Sequence, residues 1–449
     1  MGTTERLANW AVSVKYEDVP KEAFEQAKKS ILDYLGTTVW GSTTPLGQIM
    51  IDYTREQGGT GQARVLGTNI RTTAVNAAFA NGALGHSEDF DDLGGVGGHP
   101  AVVLTPTVLA LGEELNLSGK EMLLAWATGY EVGTRLSANL HPDRDWHPTA
   151  IFGTMGAAVA AGKLLKLDVQ KMRMAMGIAG SEAGGLRRNF GTMTKPFHPG
   201  NAARSGIVAA KLASRGYTSD PDIIEGRQGY ADCFGGVKCN LPGVTQLLGH
   251  LYYLAAEGTR IKPWPCCGGN HTTLTGMLDF IHENELNPDD IEHIEHVGPG
   301  VPGMGALVRS EVHEGLEGKF CLEYNIAASI IDRKVDLSTH TNERAAKGDL
   351  QEFMQKVHRS QNPDVAIRHE HIANGDNSAW VVIKMKDGTE HRVDLGVSHH
   401  LTGDAVVDKF RITAGAVFPH DALGQTVQTV QKLETLASAR GLVDMVTLK

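Results

Sequence analysis

Residues 150–166 read AIFGTMGAAVAAGKLLK, and the fold follows from how such a stretch can pack. Its Ala and Gly side chains leave little between one backbone and the next, which suits a helix buried against other backbones. Residues 201–215 (NAARSGIVAAKLASR) have the same character. Moving outward, 119–138 sets Met122, Leu123, Ala127 and Val132 on one stripe at helical spacing, and 21–36 does so with Phe24, Ala27, Ile31 and Leu35. The first 260 residues are expected to run helix after helix, without a repeat.

The texture changes at Pro263 and Pro265. Residues 291–299 (IEHIEHVGP) predict a short strand. Residues 379–386 (AWVVIKMK), Asp387-Gly388 and 389–395 (TEHRVDL) predict a β-hairpin with a tight type I′ turn. Helical patterns lie between them at 319–332 and 349–358, and the tail is helical again at 422–440. The expected architecture is therefore mostly α. A large all-helical domain comprises 1–262 and 397–449, and a smaller α+β domain, 263–396, is inserted into it.

The chain has 449 residues, too many for one ordinary core. Its 41% apolar and 21% charged residues describe a soluble globular protein. A net charge of −10 argues against a nucleic-acid partner. No run of 18 apolar residues exists to span a membrane. Five cysteines, an odd and sparse set, read as reduced thiols rather than a disulfide framework, so the expected compartment is the cytoplasm. No dinucleotide fingerprint is present, and no cofactor is expected.

Five stretches carry candidate chemistry. In 81–100 (NGALGHSEDFDDLGGVGGHP), His86, Glu88, Asp89, Asp91 and Asp92 crowd into seven residues, and a glycine-rich turn leads to His99-Pro100. Crowded carboxylates shift one another's pKa and make candidate acids and bases. In 145–156 (DWHPTAIFGTMG), His147 precedes a proline at a first helical position, where free N–H groups attract anions. From 183 to 219 the chain carries Arg187, Arg188, Lys195, Arg204, Lys211 and Arg215 with no Asp or Glu, a local positive field. In 262–271 (KPWPCCGGNH), adjacent cysteines lack the CxxC spacing of a metal site, so none is expected, and His271 is aimed at a cleft. In 319–324 (KFCLEY), Tyr324 is a candidate proton donor. Plainer readings stay open for each stretch: a solvated acidic loop, a capping histidine, a basic face, a buried thiol pair, a packed tyrosine. Together the five suit acid–base chemistry on a small anion, with cations stabilising the charge that builds up.

NGALGHSEDFDD with His99-Pro100, DWHPTAIFGTMGAA, NFGTMTKPFHPGNAARSG, PWPCCGGNH and GKFCLEYNIA occur in this order, and in this order they resemble the MmgE/PrpD family. The resemblance implies a helical domain built from both chain ends, a smaller α+β lid, a site between them, and a homodimer. It implies chemistry on a small di- or tricarboxylate without a required organic cofactor. The leading expectation is a lyase, a dehydratase working by proton abstraction beside a carboxylate. The alternatives are an epimerase of an iminodisuccinate-like dicarboxylate and a decarboxylase of a cis-aconitate-like substrate. Carried over by motif, Asp89, His99, His147, His271 and Tyr324 are the expected catalytic residues, with His99 and His147 transferring protons and Asp89 assisting. Lys195 is expected to hold a substrate carboxylate, with Arg187, Arg188 and Arg204 adding to the binding field. One departure is Leu93-Gly94, where many members carry Thr and a large ring.

Overall fold

The computed structural model describes residues 1–94, 98–142, 145–298, 305–362 and 379–448. The small-residue stretch forms the helix Pro148–Leu164, buried along nearly its whole length. It lies against Gly119–Leu140 and Thr194–Ser214 at separations that admit no larger side chain. A Cβ added to Gly156 would sit 2.8 Å from the carbonyl oxygen of Gly129, and one on Gly206 would sit 2.4 Å from the Cβ of Ala157. Ala74–Gly85 meets Thr194–Ser214 in the same way: a Cβ on Gly82 would lie 2.7 Å from the Cα of Gly200. Side-chain caps fix where these helices begin. Ser118 and Glu121 form a reciprocal capping box, and Thr73 and Asp168 each accept an N–H of the first turn.

One hydrophobic cluster collects buried residues from Val14 through Ile261 and then from Val406 through Val446. Another collects residues from Cys266 through Leu395 and surrounds a four-stranded sheet. In that sheet Ile291–Gly298 runs parallel to Val357–Gln361 on one side and antiparallel to Ala379–Met385 on the other, and Glu390–Leu395 forms the far edge. The helices His271–Glu283 and Leu322–Ile331 contribute to the same cluster. A small cluster of Phe190, Cys267 and Phe320 joins the two parts of the chain. No helix among the described residues is long and apolar enough to cross a membrane.

The mostly helical expectation holds, with local corrections. The first 260 residues are not helical throughout. Ala63–Arg64 pairs with Arg71–Thr72, and between Ser214 and Ile261 only short helices such as Tyr230–Phe234 and Tyr253–Ala256 form. The pattern at 349–358 yields a helix only to Met354, and strand begins at Val357. The tail breaks into His420–Gln431 and Ala439–Val443, and an unforeseen helix, Asp404–Ala414, precedes them. The hairpin forms at the expected place, but its turn is not type I′. Only Gly388 has positive φ (89°), and its N–H donates to Met385 O at 3.0 Å. This is a three-residue loop closed by a left-handed glycine. The glycine-rich turn after Gly94 falls on residues 95–97, outside the described residues, while Gly94 donates to Gly98 O across it at 2.9 Å.

Candidate active site

The Ala74–Gly85 helix stops at His86, and the next residues turn sharply inward. Asp89 has φ 50°, a left-handed conformation that aspartate tolerates better than most residues. The turn buries Asp89, Asp91 and Asp92. Asp91 lies between two imidazoles. Its Oδ1 accepts from His86 Nδ1 at 2.6 Å, and its Oδ2 lies 2.9 Å from His99 Nδ1, whose hydrogen bond goes to Asp92 O at 3.0 Å. Carboxylate and carbonyl oxygens only accept, so both rings carry their proton on Nδ1 and present a basic Nε2 to the interior. The Nε2 of His86 accepts from the Lys195 ammonium.

Lys195 is the second residue of the Thr194–Ser214 helix and also donates to Asp89 Oδ1 at 2.7 Å. Its ammonium sits 5.1 Å from the Phe190 ring centre and 5.2 Å from that of Phe320. The other oxygen of Asp89 faces Lys262 Nζ at 3.2 Å, and Lys262 also donates to Asp89 O and Cys266 O at 2.7 and 3.1 Å. Two buried cations thus share one carboxylate. His147 stands at the N-cap of Pro148–Leu164, with its backbone N–H held by Gly185 O at 2.8 Å. Its Nδ1 is 3.0 Å from His198 Nδ1, one turn beyond Lys195 on the same helix. The rings of His86 and His99 are 4.3 Å apart, and each is 6.3 Å from that of His147.

Burial sets the charge states. Desolvation, reinforced by the nearby Lys195, outweighs the attraction of Asp91 and lowers His86 to about 3. The same causes lower His99. Burial, then Lys195, lowers His147 well below the ordinary value and takes His198 to about 4. Burial works to raise Asp89, yet Lys195 and Lys262 overcome it and hold that carboxyl well below its usual range. Asp91 is likewise held low against burial by the two rings it bridges. Asp92, desolvated and beside Asp91, is pushed up to about 8. At neutral pH the site therefore offers neutral imidazoles, two ammonium groups and two carboxylates in a dry setting.

Donor atoms of His86, His99 and His147 lie within 4.8 Å of one another, as do those of His86, Asp89, Asp91 and His99. That spacing suits a metal ion. The Lys195 ammonium, however, already bonds both His86 Nε2 and Asp89 Oδ1, and so takes the place such an ion would occupy. The donor set fits a lysine better than a metal.

Residues 5–240 match the MmgE/PrpD N-terminal domain and residues 264–435 the MmgE/PrpD C-terminal domain. The chain belongs to the MmgE/PrpD family. Similar curated proteins include the cis-aconitate decarboxylase of Mus musculus, 27% identical with 96% of this chain and 91% of the relative covered. That of Homo sapiens is 28% identical, covering 96% and 92%. That of Aspergillus terreus is 26% identical, covering 99% and 96%. The protein is an enzyme of the MmgE/PrpD type, with lyases as its relatives.

Within this MmgE/PrpD enzyme, the structure gathers Asp89, His99, His147 and Lys195 around one buried centre. His271 lies close by, with Nε2 donating to Cys266 O at 3.3 Å and Nδ1 without a hydrogen-bond partner among the described residues; burial, then Lys262, lowers it to about 3. Tyr324 does not face that centre through any hydrogen bond. Its hydroxyl donates to Thr339 O at 2.6 Å inside the sheet-side cluster. Arg204 stacks 5.1 Å from the Phe79 ring, and Arg187 and Arg188 stand in a one-turn helix between Leu186 and Phe190 whose Arg187 N–H is tied to Asp145 O. The departure at Leu93 puts its side chain against Gly268 and its backbone against Arg260. Sequence reasoning missed Lys262, His198 and the bridging role of Asp91. Lys262 opens the KPWPCCGGNH block and His198 follows Lys195 by three residues, so helical spacing from a chosen lysine was the available signal.

Proposed function

We propose that this enzyme is a lyase without organic cofactor that moves a proton at a carbon beside a carboxylate of a small di- or tricarboxylate. The observation that carries this reading is the convergence of three neutral imidazoles on the Lys195–Asp89 pair in a buried site. A polyanion entering there supplies the negative charge that the imidazoles lack, and so raises their basicity at the moment of use. His99 Nε2 takes the proton. Asp91, with Oδ2 at 2.9 Å from Nδ1, balances the imidazolium. The electron pair left on carbon spreads into the adjacent carboxylate, whose growing charge faces Lys195 and Lys262. In a dehydration the electrons return to form a double bond as hydroxide leaves, taking a proton from His147, which picks one up from solvent when the polyanion binds and returns to its neutral form as water departs. The 263–396 part acts as a lid over this centre, and the active form is a homodimer.

The relatives favour a second reading, decarboxylation of a cis-aconitate-like substrate. There the C–CO₂ bond breaks, its electrons pass into the neighbouring unsaturated system, and one proton is returned to carbon. Incubating the protein with a polycarboxylate panel in D₂O and following it by NMR separates the outcomes. Dehydration gives an alkene, decarboxylation gives CO₂ and one deuterium in the product, and epimerisation gives exchange alone. Exchange alone, or absence of all three across the panel, overturns the lyase reading.

A further inference from the structure

Lys319 lies outside the constellation just described, yet it is built like part of it. It precedes the Leu322–Ile331 helix, its side chain is 1% exposed, and its ammonium bonds Glu88 Oε2 at 2.8 Å and Pro265 O at 2.9 Å. Glu88 is the residue next to Asp89, and Phe320, the residue next to Lys319, packs its ring beside the Lys195 ammonium. Three buried ammonium groups from three separate parts of the chain, Lys195, Lys262 and Lys319, therefore surround one short loop.

Three carboxylates of that loop, Glu88, Asp89 and Asp91, match them in number, but they are not equivalent. The Asp89 side chain is 4% exposed and tied to two lysines, and that of Asp91 is 0% exposed and tied to two imidazoles. The Glu88 side chain is 19% exposed and has Lys319 as its one ion-pair partner among the described residues. It alone can leave for water without abandoning a second buried partner. Its departure would leave a desolvated cation, a costly state unless another anion arrives.

We infer that Lys319 is a carboxylate-binding position of this site, and that Glu88 holds it until a carboxylate of the substrate takes its place. This rests on the reading above that the substrate is a polycarboxylate. The exchange is carboxylate for carboxylate, so the buried charge is unchanged, and the released Glu88 reaches solvent. It also gives the enzyme a means of discrimination, because a ligand without a carboxylate in reach of Lys319 must leave the Glu88 pair intact.

The two partners then have opposite effects, which a purely structural strap would not produce. The measurement is calorimetric titration of full-length protein with propane-1,2,3-tricarboxylate, which has no hydroxyl to eliminate. Lys319→Gln should weaken binding by about tenfold or more, as for loss of a charged hydrogen bond. Glu88→Gln should tighten it, and Lys319→Arg should restore part of the loss. Thermal unfolding of each variant reports whether it has folded. Weakening by both Lys319→Gln and Glu88→Gln in folded protein, or no change in either, overturns the inference. Failure of the unmodified protein to bind the probe overturns the polycarboxylate reading and the inference with it. Binding with the expected pair of opposite shifts, but no turnover of any panel member, sinks the lyase reading while the subsite stands.

Discussion

Asp91 shows how much one carboxylate decides. With one oxygen beside each of two imidazoles, it fixes the tautomer of His86 and supports that of His99, whose Nδ1–H also meets Asp92 O, and it can balance the charge of only one of them at a time. Asp91→Asn keeps the size but supplies an N–H to one ring, which forces that ring to accept and turns its proton toward Lys195 or the substrate. The expected result is a fall in kcat of about 10²- to 10⁴-fold with a small change in KM. The acid limb of the rate profile should move as well, since the surviving imidazolium loses its counter-charge. An unchanged kcat would remove Asp91 from the machinery. Lys262→Met should act differently. It leaves Asp89 with one cation instead of two, so the Asp89 carboxyl climbs toward its ordinary range, and stability drops by about 3 kcal/mol from the broken buried pair. A chemical-denaturation midpoint equal to that of the unmodified protein would contradict this. In the sequence the acidic cluster was visible, but which carboxylate bridges, which is clamped and which stays protonated depends on a turn at Asp89 that local composition does not encode. Lys262 was hidden for the same reason: it comes from a segment 173 residues away in sequence.

At the scale of elements, the glycines do more than pack. His86 ends one helix, His147 begins a second, and Lys195 begins a third, and contacts between small residues set how these helices lie on one another. Gly206 has the Cβ of Ala157 within 2.4 Å of where its own Cβ would be, so no side chain fits without separating two catalytic helices. Gly206→Val should therefore cost about 3 kcal/mol of stability by overpacking. It should also lower kcat, because it displaces Lys195 and His198 relative to His147. A variant that loses stability but keeps full kcat would show that the helix crossing does not position the site. This is also the part of the fold that the sequence made legible. Runs of Ala and Gly at helical spacing leave few options but close helix packing, and the hairpin was announced by its alternation and Asp-Gly. The helix Asp404–Ala414 was missed because its stripe is narrow, yet it supplies Lys409, whose ammonium meets Asp33 Oδ1 at 2.7 Å beneath the catalytic loop. Its value lies in a partner nearly four hundred residues earlier, and that is a tertiary fact.

Over the whole molecule, the buried titratable groups give stability a defined dependence on pH. Eight histidines among the described residues, His86, His147 and His271 included, have pKa values depressed from 6.5, several of them to about 3 or 4, with burial the first cause in each. Between about pH 4 and 6.5 the unfolded chain binds a proton at each of these rings and the folded chain does not, so stability rises with pH in that window. Three buried carboxyls act in the opposite direction. Asp33 is raised to about 6, Glu131 to about 7 and Asp92 to about 8, again chiefly by burial. Each keeps its proton in the folded state after the unfolded chain has lost it, so each lowers stability as pH climbs from its ordinary value toward the raised one. Below pH 6.5 the histidines outnumber the carboxyls and dominate. Above it their contribution is complete, and among the described carboxyls Glu131 and Asp92 still act, with a shallow downward slope. Urea midpoints measured from pH 4 to 8 should therefore climb steeply, peak near pH 6.5 and decline gently. Asp92→Asn, which removes the group with the highest raised value, should flatten that decline and also steepen the acid side by about one proton, because Asp92 opposes the histidines there too. A midpoint that keeps rising through pH 8 would mean that Asp92 is ionised in the folded protein. The charge balance around Asp91, and with it the reason that loop can be buried, would then have to be redrawn.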